Sequence, residues 1–335
     1  MAKVVPGAPR VQYHAIRECP RSRRALPQGT SVEGETMTSS VRPTAGRRAR
    51  QAAVDSGATW DLVLGEPAPA PPELDPEVPH PIRMWDYMIG GKDNYESDRA
   101  AVHHLMNIAP DVMVIARAAE AFAHRASAWI AHGHGLTQFL QMGTAIPIMN
   151  SFDGIVRDQV PDSRFVYVTD DPITATHARA VLAARAPSNR LHVLRAEFRD
   201  PEPILAYPWL RDRLDFTAPM GVLLLGMLDY TRDDARLNRA LEQIMAALAP
   251  GSLVVVLQYL EFPEPDVGEI VQSLLGENKA EFTPRSQEDV DALMGRYEFL
   301  PPGLVRITSW HPDGQGPGPD MEERCHIVGG VMVKR

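Results

Sequence analysis

Residues 221–227 read Gly221-Val-Leu-Leu-Leu-Gly-Met227, a run without a polar side chain. A strand with one wet face alternates apolar and polar residues, whereas a strand covered on both faces is apolar throughout. The run is therefore expected at the centre of a parallel sheet. Its surroundings agree. Upstream, Gln138–Met142, Arg164–Thr169 and Leu191–Ala196 read as strands, and downstream Ser252–Tyr259 reads as a fifth.

Helical patterns lie between these strands. Asp111–Ile130 places Val112, Ile115, Ala119, Phe122, Ala126 and Trp129 at spacings of three and four, which forms one apolar helix face. A helix follows Pro147. Asp171-Pro172 and Asp200-Pro201 each open a helix, because Asp caps free amides and proline fits the first turn. Leu237, Leu241, Ile244 and Leu248 mark a helix ended by Pro250-Gly251. Val267–Leu275 and Gln287–Arg296 read as two more. Leu304–Trp310 and His326–Lys334 are expected to close the sheet as an antiparallel pair around a turn at Pro312–Pro319. This alternation defines an α/β fold: a Rossmann-like, mostly parallel sheet with helices on both faces. Such sheets bind ligands at the carboxyl ends of their strands, near the switch in strand order. Here those ends are the loops after Met142, Thr169, Ala196 and Met227.

The 335 residues carry a net charge of −9, unevenly spread. Residues 1–50 hold ten Lys or Arg against three Asp or Glu, a balance of +7, which leaves −16 on the remaining 285. An acidic body argues against a phosphate-binding surface, so no nucleic-acid partner is expected. Residues 1–80 read as a disordered leader, basic and then proline-rich at Glu66-Pro-Ala-Pro-Ala-Pro-Pro72. Within it only Trp60–Leu64 is apolar enough to dock. Residues 81–135 read as a helical lid and 136–335 as the core. No apolar run approaches the roughly 18 residues of a membrane span. The start of the chain lacks a signal-peptide core, and Cys19 and Cys325 make neither a disulfide framework nor a zinc site. A cytoplasmic location is expected, and the sequence leaves oligomeric state open.

Met84–Arg99 reads Met-Trp-Asp-Tyr-Met-Ile-Gly-Gly-Lys-Asp-Asn-Tyr-Glu-Ser-Asp-Arg. A segment made only for a core would repeat its apolar positions. This one gathers hydrogen-bonding groups and aromatics around Gly90-Gly91, where the backbone has unusual freedom and a ligand can come close. It resembles the D-Y-x-x-G-G-K-D-N-x-x-x-D-R signature of an S-adenosylmethionine methyltransferase family of actinomycetes, once catalogued as a domain of unknown function. The likeness extends over about residues 81–335. Gln138–Pro147 resembles the family's Q-F-L-D-I-G-T-G-L-P, and Val166–Pro172 resembles V-Y-V-D-N-D-P. Glu197–Leu205 is similar to D-x-R-D-P-x-x-I-L, and Pro250–Leu253 to the P-G-S before the fifth strand.

The resemblance implies a class I methyltransferase that takes S-adenosylmethionine and a small-molecule acceptor. Under it, Gly143, Thr144 and Ala145 line the methionine end of the cofactor. Thr169 and Asp170 meet the ribose, and Glu197 and Phe198 flank the adenine. Tyr87, Gly91, Lys92, Asp93 and Asn94 close over the top, and Asp229 or Tyr87 serves as base. The methyl acceptor is expected among Glu261–Asp291 and the lid.

Four positions depart from the family pattern. Gln141 and Thr169 stand where Asp is usual, Ala145 replaces a glycine, and Asp229 replaces a histidine. A methyl at Ala145 in a left-handed turn would cost about 1 kcal/mol. Thr169 cannot clamp a ribose diol as a carboxylate does, a loss of roughly 1.5–3 kcal/mol. These departures keep a second reading open: a non-catalytic relative with a degraded pocket, regulatory or structural. A nicotinamide-dependent oxidoreductase is weaker, since Gly143-Thr-Ala-Ile-Pro147 lacks G-x-G-x-x-G.

Plainer roles compete at several positions. Asp171 suits a helix cap, and Asp229 could cap the following helix. Met84, Met88, Met106 and Met113 suit a core. His103, His104, His132 and His134 have no acidic or Cys partner at metal-ligand spacing and read as surface residues.

Overall fold

The computed structural model describes residues 75–143, 151–185, 190–262, 267–275, 282–312, 321 and 324–335. The leader as far as residue 74, the turn residues Thr144, Ala145 and Pro147, and most of the expected closing turn lie outside the described residues.

The chain opens with α1 (Pro81–Met88), α2 (Glu96–Ile108) and α3 (Val112–Ala131). Next come β1 (Gln138–Gly143), α4 (Phe152–Gln159), β2 (Arg164–Thr169), α5 (Pro172–Arg185) and β3 (Leu191–Arg195). Two short helices, α6 (Pro201–Ala206) and α7 (Pro208–Arg211), lead to β4 (Gly221–Leu225). They are followed by α8 (Asp234–Ala247), β5 (Leu253–Tyr259), α9 (Val267–Leu275), α10 (Gln287–Met294), β6 (Val305–Arg306) and β7 (Ile327–Val333).

The described strands form one sheet in the order β3-β2-β1-β4-β5-β7-β6. The pairs among β1 to β5 are all parallel, as the apolar β4 implied. The strand order reverses at β1, between β2 and β4, so the expected ligand crevice lies at the carboxyl ends of these strands. Strand alternation sorts the core into two layers. Phe139, Tyr167, Leu223 and Val255 pack with residues of α3, α4 and α5 on one face. Leu140, Val166, Val222 and Val254 pack with residues of α6, α8 and α10 on the other.

The expected closing pair forms, with β6 and β7 antiparallel. β7 runs antiparallel along the whole of β5, and β6 adds only two residues on its far side. Helix starts also divide. Asp171 caps α5, its carboxylate accepting from the Thr174 amide at 2.7 Å. Asp200, expected to act alike at α6, makes no such bond.

The lid is held by its own core. Met84, Met88, Val102 and Leu105 pack with Ala116 of α3 and Val267 and Val271 of α9, with Met106 and Met113 against them. The methionine stripe is thus core. Asp98 is fully buried and joins α1 to α2. It pairs with Arg83 at 3.0 Å and accepts from the amides of His80 and Tyr95, each at 2.8 Å. A buried ion pair of this kind holds only because further donors fill its remaining lone pairs.

Candidate functional site

The turn after β1 is built for glycine. Gly143 has φ +120°, and a Cβ there would stand 1.7 Å from the Leu225 carbonyl of β4. No other residue fits that close approach. Across it, the lid loop makes a second glycine-only contact. Gly90 turns at φ +92°, and Gly91 lies against Asp86, whose Oδ1 would be 2.0 Å from a Cβ. Asp86 in turn fixes the loop, accepting from the Asp93 amide at 2.8 Å and Asn94 Nδ2 at 2.9 Å. The loop reaches the sheet through Asp93, 3.3 Å from His177 of α5.

Between lid and sheet lies a cavity of about 410 Å³. Its floor is the end of β4 (Leu225, Gly226) and of β5 (Leu257, Tyr259), and its roof is α1 with Gly90, Gly91, Lys92 and Asp93. Ala119, Glu120, Ala123 and His124 of α3 form one side. Tyr230, Phe262, Val267, Val271 and Phe282 form the other. The last four fall within the segment from Glu261 to Asp291 in which the acceptor was expected, Tyr230 excepted. The position matches the strand-end crevice of an open α/β sheet.

Carboxylates in these apolar walls are strongly perturbed. Burial, opposed by the amide bond of Tyr259, pushes Asp229 up to about 7. Burial, with repulsion from Asp86, pushes Glu120 up to about 7 as well. Asp86 is also raised, by burial above all. Carboxyls that change charge near neutrality in a cleft are suited to proton transfer.

Asp229 follows β4 and is buried. One oxygen accepts from the Tyr259 amide at 2.7 Å. It does not cap α8; Asp233 does, accepting from the amides of Ala235 and Arg236. That corrects the capping expectation and leaves Asp229 facing the cavity. Glu120 was missed in the sequence. Its signal was its place four residues after Ala116, at the margin of the apolar face of α3, with His124 one turn on at 3.7 Å. The role of Asp86 is not legible in the sequence, since nothing local reveals that its carboxylate organises the loop.

Gly91, Lys92, Asp93 and Asp229 therefore meet at one cavity, and Gly143 pairs in register with its Leu225. Other expected residues do not line it. Tyr87 turns to the surface of the lid, with its hydroxyl 2.8 Å from His103. Asn94 is spent on Asp86 and Arg99. His103, His104, His132 and His134 are exposed.

The adenosine end looks different from expectation. Arg199 ties together the two carboxylates there, bonding both Glu197 oxygens at 2.6 Å and Asp170 at 3.2 Å. Burial raises Asp170, and the attraction of Arg199 opposes that. Burial also acts upward on Glu197, but its bonds to Arg199 outweigh it and hold the carboxyl low. Phe198 is buried in the lower core layer rather than presented to a ligand. Thr169 is 3% exposed at the end of β2, and its hydroxyl has no hydrogen-bond partner among the described residues. Such an orphan is what a polar ligand would satisfy. Both amide atoms of Gln141 are likewise buried and unpartnered. The glycine-only turn, the buried Thr169 hydroxyl and the fixed lid loop fit an adenosyl cofactor.

Comparison with known proteins agrees with this geometry. The model of a family described as S-adenosyl methyltransferase matches residues 67–335. A crystal structure from Thermobifida fusca, named provisionally as a methyltransferase, is 31% identical with a TM-score of 0.71. The match covers 79% of this chain and 98% of that one. A Streptomyces avermitilis protein of the DUF574 family is 29% identical with a TM-score of 0.71, over 78% and 99% of the two chains. No curated protein matches.

Proposed function

This chain belongs to the S-adenosyl methyltransferase family, and we propose that its cavity beneath the lid is where a methyl group passes to a small-molecule acceptor. The observation that supports this reading most directly is the shared cavity. The Gly91–Asp93 loop and the ends of β4 and β5 enclose it, one strand along from β1, where the strand order reverses. S-adenosylmethionine, when bound, supplies a methyl group already activated on a sulfonium sulfur.

With the donor so activated, the protein mainly positions and desolvates. Gly143 leaves room for close backbone approach after β1. Thr169 offers its hydroxyl to the ribose, and Asp170 offers the oxygen that Arg199 does not hold. Lys92 and Asp93 cover the methionine end from the lid. Asp229 would accept the proton that the acceptor gives up as its oxygen or nitrogen takes the methyl group and the sulfur–methyl bond breaks to leave S-adenosylhomocysteine, and would later release that proton to water. Its carboxyl, raised to about 7, is poised for that exchange. Tyr87, with its hydroxyl on His103, has no part in this scheme. A cytoplasmic location suits a chain of this composition.

A second reading, a relative that no longer transfers methyl groups, draws on the Arg199 tie. That tie engages the two carboxylates expected to hold adenosine. Calorimetric titration with S-adenosylmethionine and S-adenosylhomocysteine separates the two. The enzyme reading expects micromolar affinity, and absence of heat at millimolar ligand removes it.

A further inference from the structure

The two ends of the cavity differ in chemistry. Near α3 and the lid it is charged, with Asp86, Glu120, Lys92 and Asp93. Near β5 and α9 it is aromatic. Phe282 lies 5.7 Å from Tyr230 and 5.4 Å from Tyr259, ring centre to ring centre, and Phe262 lies 6.2 Å from Tyr259. These rings come from three separate segments, and Val267 and Val271 complete the apolar wall. At the head of this aromatic end stands Asp229, 1% exposed. Its Oδ1 is filled by the Tyr259 amide, and the residue lines the cavity beside these rings.

We infer that the acceptor is a flat aromatic molecule carrying a hydroxyl, its ring lodged among Tyr230, Tyr259, Phe262 and Phe282 and its O–H donated to Asp229. The inference rests on the methyl-transfer reading and names its acceptor class. Three physical points carry it. Aromatic rings in a dry wall favour a ring that can stack or meet them edge-on over a saturated one of equal size. Asp229 lines the same cavity, so a hydroxyl on a ring held there meets a carboxylate acceptor. A phenol gives up its proton near pH 10, far more readily than an aliphatic alcohol. A carboxyl that titrates near neutrality is therefore a workable base for a phenol and a poor one for an alkanol.

The test measures binding, apart from turnover. The protein is saturated with S-adenosylhomocysteine and titrated calorimetrically with 2-naphthol, with naphthalene, and with decahydro-2-naphthol. The first carries ring and hydroxyl, the second only the ring, the third only the hydroxyl on a saturated frame. The expected result is that 2-naphthol binds at least tenfold more tightly than either of the others. Asp229→Asn should then remove most of its advantage over naphthalene and leave naphthalene unchanged. Equal affinities, or no binding of 2-naphthol up to its solubility, overturn the inference while S-adenosylhomocysteine still binds. Failure of S-adenosylhomocysteine itself to bind sinks the underlying reading instead.

Discussion

The carboxylate of Asp86 rests directly on Gly91, leaving no space for a side chain: a Cβ there would stand 2.0 Å from Oδ1. The same carboxylate holds the Asp93 amide and the Asn94 side chain. The lid loop is therefore shaped by an acid on the helix before it, and its glycine serves that acid.

Gly91→Ala should push the loop off Asp86 while leaving the sheet intact. We expect affinity for S-adenosylhomocysteine to fall about tenfold or more, with only a small drop in melting temperature. Calorimetry and thermal unfolding on the same sample check both halves. A variant that binds normally would show that the loop does not cover the cofactor.

Gly143→Ala is a test of the β1 turn. A methyl group would press on the Leu225 carbonyl and force a side chain into φ +120°. The expected loss is at least about 2 kcal/mol in urea unfolding. Gly133→Ala is the control, because its φ is +84° with nothing within 4 Å of the added carbon. Strain alone there should cost about 1 kcal/mol.

Asp229 makes stability depend on pH in a defined direction. Its carboxyl moves from an ordinary 3.8 to about 7 on folding. Below about pH 4 it is neutral in both states, and its burial carries no charge penalty. Between those values the unfolded chain is ionised while the folded chain resists, so stability falls as pH rises from about 4 to about 7. The slope approaches 1.4 kcal/mol per pH unit, roughly, for one such group. Asp229→Asn should flatten that part of the curve in denaturant titrations at stepped pH. In the enzyme reading it should also lower kcat on the order of a hundredfold and remove the rise in rate toward pH 7.

Thr169→Asp restores a carboxylate at the end of β2, where the native hydroxyl is buried without a partner among the described residues. Affinity for S-adenosylhomocysteine is expected to rise about tenfold as a ribose diol gains a charged acceptor, at some loss of stability from the buried charge. Weaker binding would mean that Arg199 and its two carboxylates already define a different ribose site.

The strands and helices of this fold were legible because they obey local periodicity. The wholly apolar β4, the strand from Arg164 to Thr169 and the helix from Val267 to Leu275 were read at their observed places. Local patterns were less informative where a partner distant in the chain sets a side chain's surroundings. Asp229 had the look of a cap because it precedes a helix, yet it belongs to the Tyr259 amide of the neighbouring strand. Tyr87 had the look of a catalytic group because it sits in a polar motif, yet His103 takes its hydroxyl.

Spacing along the chain sufficed for the order of elements, the parallel centre of the sheet and the glycines that its turns require. Those properties depend on residues a few positions apart, where spacing is geometry. Packing in three dimensions settled which charged groups meet which neighbours: Glu120 beside Asp86, Asp229 in a cavity with four rings, Arg199 between Asp170 and Glu197. Burial and electrostatic environment come from segments distant in the chain, and a carboxyl has no perturbed affinity for its proton until packing has removed the water around it.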